Sequence, residues 1–152
     1  MNTSQTPAVL PAPQGAADGR ARARTVRRVL LATDLDAASS RANELFVETR
    51  RANAHTIVIV TGRVTVDSSP HLRPVLHEAI AAAPPAGVVI DFTAVEYLDT
   101  SAIATLLEAA TLASKRSVAL GVIGLHGETR FVAEATELDR IFLALGYEVQ
   151  FT

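Results

Sequence analysis

Not one cysteine occurs in the 152 residues. That excludes a disulfide framework, cysteine-ligated zinc and thiol chemistry together, and it fits a reducing cytoplasm. Tryptophan is also absent and aromatics make up only 5% of the chain, so aliphatic side chains and alanine must build the core. Long apolar runs are missing as well. The best candidate, from Ala79 to Ile90, is broken by Pro84-Pro85 and falls short of the ~18 residues that cross a bilayer. The N-terminus lacks the compact apolar segment of a secretory signal. A cytoplasmic protein without membrane insertion is expected.

Chemistry is equally sparse. The chain contains neither a glycine-rich loop ending in lysine nor a G-x-S-x-G elbow, which removes a phosphate cradle and a serine-hydrolase nucleophile. The four histidines, His55, His71, His77 and His126, fall in different predicted elements except for His71 and His77. Those two stand six apart, on different faces of a helix and not at ligand spacing. Surface histidines are the expectation, with no metal, no cofactor and no catalytic residue.

The charge is uneven. Residues 1–30 carry Arg20, Arg22, Arg24, Arg27 and Arg28 against Asp18, a balance of +4 that leaves −6 for the rest of a chain whose net charge is −2. An acidic body does not bind nucleic acid by charge. Residues 1–25, rich in Ala, Pro, Gln and Gly, have no hydrophobic period and are expected to be disordered. The short run Val29–Asp34 resembles the opening strand of a universal stress protein, but nothing else of that fold follows. Residues 1–43 are therefore read as a tail and linker, and 44–152 as one domain.

From Glu44 onward a pattern emerges. Leu45, Val47 and Thr49 alternate with Phe46 and Glu48. Arg50–His55 reads as a loop, and the β-branched run Thr56–Thr61 reads as a strand buried on both faces. Asp67-Ser68-Ser69-Pro70 offers cap residues and a first-turn proline. A helical stripe of Leu72, Val75, Leu76, Ala79 and Ile80 follows, with Pro74 disturbing its start. Val88–Phe92 is the next strand, and Ile103, Leu106, Leu107 and Ala110 mark a second helix. Ser117–Ile123 reads as a strand and Glu128–Thr136 as a helix. Leu138, Ile141, Phe142 and Leu145 form another stripe, and Tyr147–Phe151 is a final edge strand or a fraying end. The order predicts an α/β domain whose helices cover a mixed sheet of four to five strands.

One stretch stands out. Leu98-Asp99-Thr100-Ser101-Ala102-Ile103 places an acid and two hydroxyls where a helix starts. A hydroxyl there can cap the first-turn amides, worth about 1 kcal/mol. That does not require two hydroxyls on the rim of a sheet. A helix N-terminus is also a favourable place for an added phosphate; Asp99 beside it would repel the new charge of about −1.5 to −2, and the modification would act by blocking a partner that docks on this corner. At 100° per residue, Ser101, Thr105, Glu108 and Leu112 line the helix face opposite the apolar one.

These residues carry a resemblance. Ile57–Val64 with Asp67–Arg73, then Val89–Phe92 through Leu98–Ser101, then Thr129–Phe142 are similar, in that order and spacing, to the motifs of STAS domains of the anti-sigma factor antagonist family. The likeness covers roughly residues 44–146. It implies a bacterial, STAS-like single domain that acts as a protein-binding module. It sequesters an anti-sigma factor serine/threonine kinase, frees a sigma factor, and is reset by a phosphoprotein phosphatase. The residue directly after the aspartate is the family's phosphoacceptor, which maps to Thr100, with Ser101 the neighbouring hydroxyl. Asp99, Thr100, Ser101, Thr105, Glu108, Leu112, Ser68 and Ser69 are the expected partner-binding residues. Two positions depart from the family, Ala102 and Glu137, each where glycine is usual; Ala102 is expected to leave less room for a kinase backbone. An alternative within the family is a non-phosphorylated STAS subunit of a lipid-transport ATPase complex or a stress-signalling scaffold. An unrelated small enzyme or nucleotide binder rests on fold analogy alone.

Overall fold

A computed structural model describes the backbone of residues 25–29 and all of residues 45–152. Strands β2 (Leu45–Ala52) and β3 (His55–Val64) form an antiparallel hairpin, with Leu45 opposite Gly62 and Ala52 opposite His55. Only Asn53 and Ala54 turn the chain, at φ of 51° and 70°. Two positive φ values are what a two-residue primed turn demands, since its twist matches that of the flanking strands. The loop expected over 50–55 is therefore mostly strand; alanine in place of the usual glycine conceals the turn.

From β3 onward the pairing is parallel, so each connection must cross over. Helix α1 (Ser69–Ala81) leads to β4 (Val88–Leu98), and α2 (Thr100–Lys115) leads to β5 (Leu120–Leu125). Helices α3 (Gly127–Ala135) and α4 (Leu138–Ala144) then lead to β6 (Glu148–Phe151), which pairs parallel with β5. The strand order follows the sequence from one edge to the other. With β3, β4 and β5 parallel, the starts of α1, α2 and α3 all fall on one rim of the sheet.

Two expectations change. β4 does not stop near Phe92 but runs on to Leu98, beyond register irregularities against β3 between Ile59 and Thr61 and between Gly62 and Arg63. Residues 93–98 lack the unbroken apolar run that marked the strand's first half: Val95 and Leu98 are buried, but Thr93, Ala94 and Glu96 are exposed. Nor is β3 buried on both faces. Val58 and Val60 are buried, but Ile57 and Ile59 are only half-buried. The buried residues of the helices join one face of the sheet in a single cluster, and among the described residues no helix covers the other face.

The sheet also gains a strand inside the segment read as tail and linker. β1 (Thr25–Val29) lies antiparallel along β2, from Thr25 opposite Thr49 to Val29 opposite Leu45. Its partner is the otherwise open edge of β2, and such pairing leaves little trace in a five-residue sequence. The expected disorder and linker over residues 1–24 and 30–44 lie outside the described residues.

Candidate functional site

The rim where α1 and α2 start holds the Asp99-Thr100-Ser101 stretch. The N-cap of α2 is Asp99, in extended backbone, and neither hydroxyl takes that position. Its Oδ1 accepts the backbone N–H of Ser101 at 2.9 Å and the Ser101 hydroxyl at 2.5 Å. Its Oδ2 reaches across the rim and accepts the N–H of Val66, in the β3–α1 loop, at 3.0 Å. One carboxylate thus caps a helix and fastens a loop 33 residues away in sequence. Sequence reasoning gave the cap to a hydroxyl; aspartate wins because its two oxygens serve both amides at once.

Ser101 is fully engaged. It donates to Asp99 and accepts from the Ser69 hydroxyl at 3.1 Å, which ties the first turns of α1 and α2 together. Ser69 is buried, and so is Ser68, whose Oγ donates to the Arg63 carbonyl at 2.9 Å and accepts the Thr65 N–H at 2.8 Å. The two serines sit beside the rim as expected, but they fasten the loop from within and expose no hydroxyl. Thr100 differs from all of them. It is exposed at the first position of α2, and among the described residues its hydroxyl has no hydrogen-bond partner.

The expected partner face of α2 is revised in part. Thr105 is buried and its hydroxyl donates to the Ser101 carbonyl at 2.9 Å. Leu112 is half-buried against the core. Glu108 is exposed but taken up by α1: Arg73 Nε lies 2.8 Å from it and His77 Nε2 lies 3.6 Å away. The helix is buried on two sides, by the sheet and by α1, and a wheel drawn from one apolar stripe shows only the first. Ala102 also reads differently in place. Its side chain is fully buried, so the methyl that replaces the family's glycine faces the core and not a visitor at the rim.

The histidines stay apart. His71 is exposed, half-buried His77 approaches Glu108 on the neighbouring helix, His55 Nδ1 lies 3.1 Å from the Asn53 carbonyl, and His126 Nε2 donates to the Thr93 carbonyl at 3.0 Å. Among the described residues no cluster of His, Cys, Asp or Glu could hold a metal ion, and no helix is long and apolar enough to cross a membrane. Sequence reasoning missed Val66, which is 67% exposed beside this corner. The available signal was a lone aliphatic residue between Thr65 and Asp67 in a turn.

A mixed sheet with helices on one face, and a helix opening on an acid and two hydroxyls at its rim, defines a recognisable class. Residues 46–151 match the STAS domain, and the chain belongs to that family. Among solved structures it is similar to an anti-sigma factor antagonist from Mycobacterium paratuberculosis, at 22% identity and a TM-score of 0.60 over 70% of this chain and 85% of that one. It is also similar to the anti-sigma factor antagonist SpoIIAA in its unphosphorylated form, at 13% identity and a TM-score of 0.47 over 62% and 96% of the two chains. No curated protein matches the sequence.

Proposed function

We propose that this protein is an anti-sigma factor antagonist, a binding module and not an enzyme, switched by phosphorylation of Thr100. Its partner is an anti-sigma factor of the serine/threonine kinase type, held by the unmodified form in the cytoplasm so that a sigma factor is released. A phosphatase restores the binding form. The observation that carries this reading is the contrast within one corner: Thr100 is exposed and unbonded, whereas Asp99, Ser101, Ser68 and Ser69 are all committed to internal hydrogen bonds. A transferable hydroxyl must be reachable and free to shed its proton, and beside Asp99, among Thr100, Ser101, Ser68 and Ser69, Thr100 meets both conditions. The family and the fold shared with an anti-sigma factor antagonist support the same reading.

The mechanism needs no rearrangement of the domain. A phosphate on Thr100 adds about −1.5 to −2 in charge next to Asp99, at a helix start where free amides tolerate it. It therefore changes the docking surface and leaves the core intact. Calorimetric titration with the kinase-type anti-sigma factor checks this. Thr100→Glu is expected to weaken binding at least about tenfold, or ~1.4 kcal/mol, while Thr100→Val keeps both the fold and the affinity. Equal affinity for wild type and Thr100→Glu would count against the switch and leave Thr100 a helix position only.

A further inference from the structure

We infer that the chain's own N-terminal segment, residues 1–24, docks on the open face of the sheet, with Val9 and Leu10 seated in a trough over Gly121. The strand register lays two rows of side chains across that face. Arg50, Ile57, Val89, Gly121 and Glu148 are neighbours in one row, and Glu48, Ile59, Asp91 and Ile123 in the next. Ile57, Ile59, Val89 and Ile123 are half-buried, and among the described residues no helix lies over them.

Gly121 interrupts the apolar row. It has no positive φ, and a Cβ built on it would meet only the Glu148 carbonyl oxygen, at an ordinary 3.8 Å. Gly87 and Gly124 are different, each at a positive φ and pressed against Ala119 or Thr93. Nothing in the described fold calls for glycine at position 121, although glycine weakens a strand interior. Such a glycine marks a strand that another backbone approaches closely. The missing side chain opens a trough of about 500 Å³ between Val89 and Glu148, bounded also by His55, Ile123 and Gln150.

Three observations assign this trough to the chain's own start. The first is direction. Thr25 lies opposite Thr49, so the chain before β1 heads for the end of the sheet that holds the Asn53-Ala54 turn. His55 and Glu148, the first residues of β3 and β6, bound the trough at that same end. The second is reach. From β1 to β5 there are four strand spacings, about 19 Å, and residues 11–24 can span about 45 Å when extended. The third is charge. The two rows carry Glu48, Asp91 and Glu148 against Arg50, whereas the segment carries Arg20, Arg22 and Arg24 against Asp18. Alternation with Ala21 and Ala23 puts the three guanidinium groups on one side of an extended chain. Val9 and Leu10 stand between Pro7 and Pro11, whose fixed φ lowers the entropy lost on docking. The trough lies at the opposite end of the strands from Thr100, so this contact stands or falls apart from the phosphorylation switch.

Nuclear magnetic resonance on the full chain tests the assignment. The chain has no cysteine, so a nitroxide on Gln14→Cys marks the segment alone. Broadening is expected at the amides of Val89, Gly121, Ile123 and Glu148, and not at Phe131 and Leu143 on the helical side. Gly121→Leu fills the trough and is expected to abolish that broadening while the resonances of the core stay in place. Added salt should lessen it, since the arginine contacts are screened. Broadening confined to β1 and β2, or unchanged by Gly121→Leu, overturns the inference. In a mixed sample the nitroxide and the isotope label sit on different molecules. Equally strong broadening there gives the trough to the segment of a second copy and overturns docking within one chain.

Discussion

Thr100 and Ser101 are chemically near-equivalent neighbours, yet their surroundings give them opposite roles. Ser101 is held between Ser69 and Asp99 and so belongs to the scaffold, whereas Thr100 faces solvent one position earlier. Removing a hydroxyl that both donates and accepts costs about 1 kcal/mol. Ser101→Ala is therefore expected to lower unfolding stability by that order while the protein is still phosphorylated, and mass spectrometry should place the phosphate on residue 100. A phosphate found on residue 101 of the wild-type protein would contradict the assignment. Glu137 makes a separate residue-scale case. It sits at φ 59° and ψ 33°, in the left-handed region between α3 and α4 that glycine adopts most readily. A side chain there costs roughly 1–2 kcal/mol, offset in part by the greater entropy of unfolded glycine. Glu137→Gly is expected to raise stability by about 0.5–1 kcal/mol in denaturant titrations.

Elements meet here at closely defined joints. The entry to β4 passes against the residue just before β5: a Cβ on Gly87, at φ 98°, would collide with the carbonyl oxygen of Ala119. Both the backbone conformation and the contact oppose a side chain, and Gly87→Ala is expected to cost about 3 kcal/mol or more, read as a lowered unfolding midpoint. At the far end Tyr147 links α4 to the sheet by donating its hydroxyl to the Val118 carbonyl at 2.6 Å and by meeting the Phe142 ring edge-on. Burial raises the Tyr147 phenol above its usual 10.0. The neutral phenol is thus favoured in the folded state, so its contribution is complete below about pH 10 and declines as the pH climbs through the raised value. Stability measured between pH 8 and 11 should hold and then fall, and Tyr147→Phe should start lower and fall less steeply. The helices show why periodicity alone misjudged the partner face. A stripe calculation records which residues face the sheet, but Thr105 is buried and Glu108 is paired because α1 packs alongside α2.

For the whole molecule, β1 is an addition beyond the matched STAS region, which begins at residue 46. It covers the outer edge of β2, where unpaired backbone groups would otherwise invite another chain. A chain starting at Glu44 is expected to fold, because the core among the described residues runs from Leu45 onward, but to lose about 1–3 kcal/mol of backbone hydrogen bonding along the β1–β2 ladder. It should also self-associate more readily, and sedimentation of the two lengths side by side checks both statements. The sheet face with half-buried Ile57 and Ile59, which no helix covers among the described residues, and the convergence of three helix starts on one rim, are likewise properties of the assembled sheet and not of any segment.

Much was legible in the sequence because it depends on local patterns. Leu72, Val75, Leu76, Ala79 and Ile80 recur at helical spacing and form the buried side of α1, and the β-branched run at 56–61 is a strand. The missing cysteine and the short apolar runs bounded the chemistry before any fold was drawn. The Asp-Thr-Ser stretch also announced a helix start in the sequence. What the chain order could not reveal depends on groups far apart in it: Asp99 binding the Val66 amide, Ser69 meeting Ser101, α1 covering Thr105, and β1 finding the edge of β2. Periodicity is a property of neighbours three or four residues apart, whereas which of two adjacent hydroxyls stays free is settled by where the local cap Asp99 turns and by Ser69, which only tertiary packing brings to 3.1 Å.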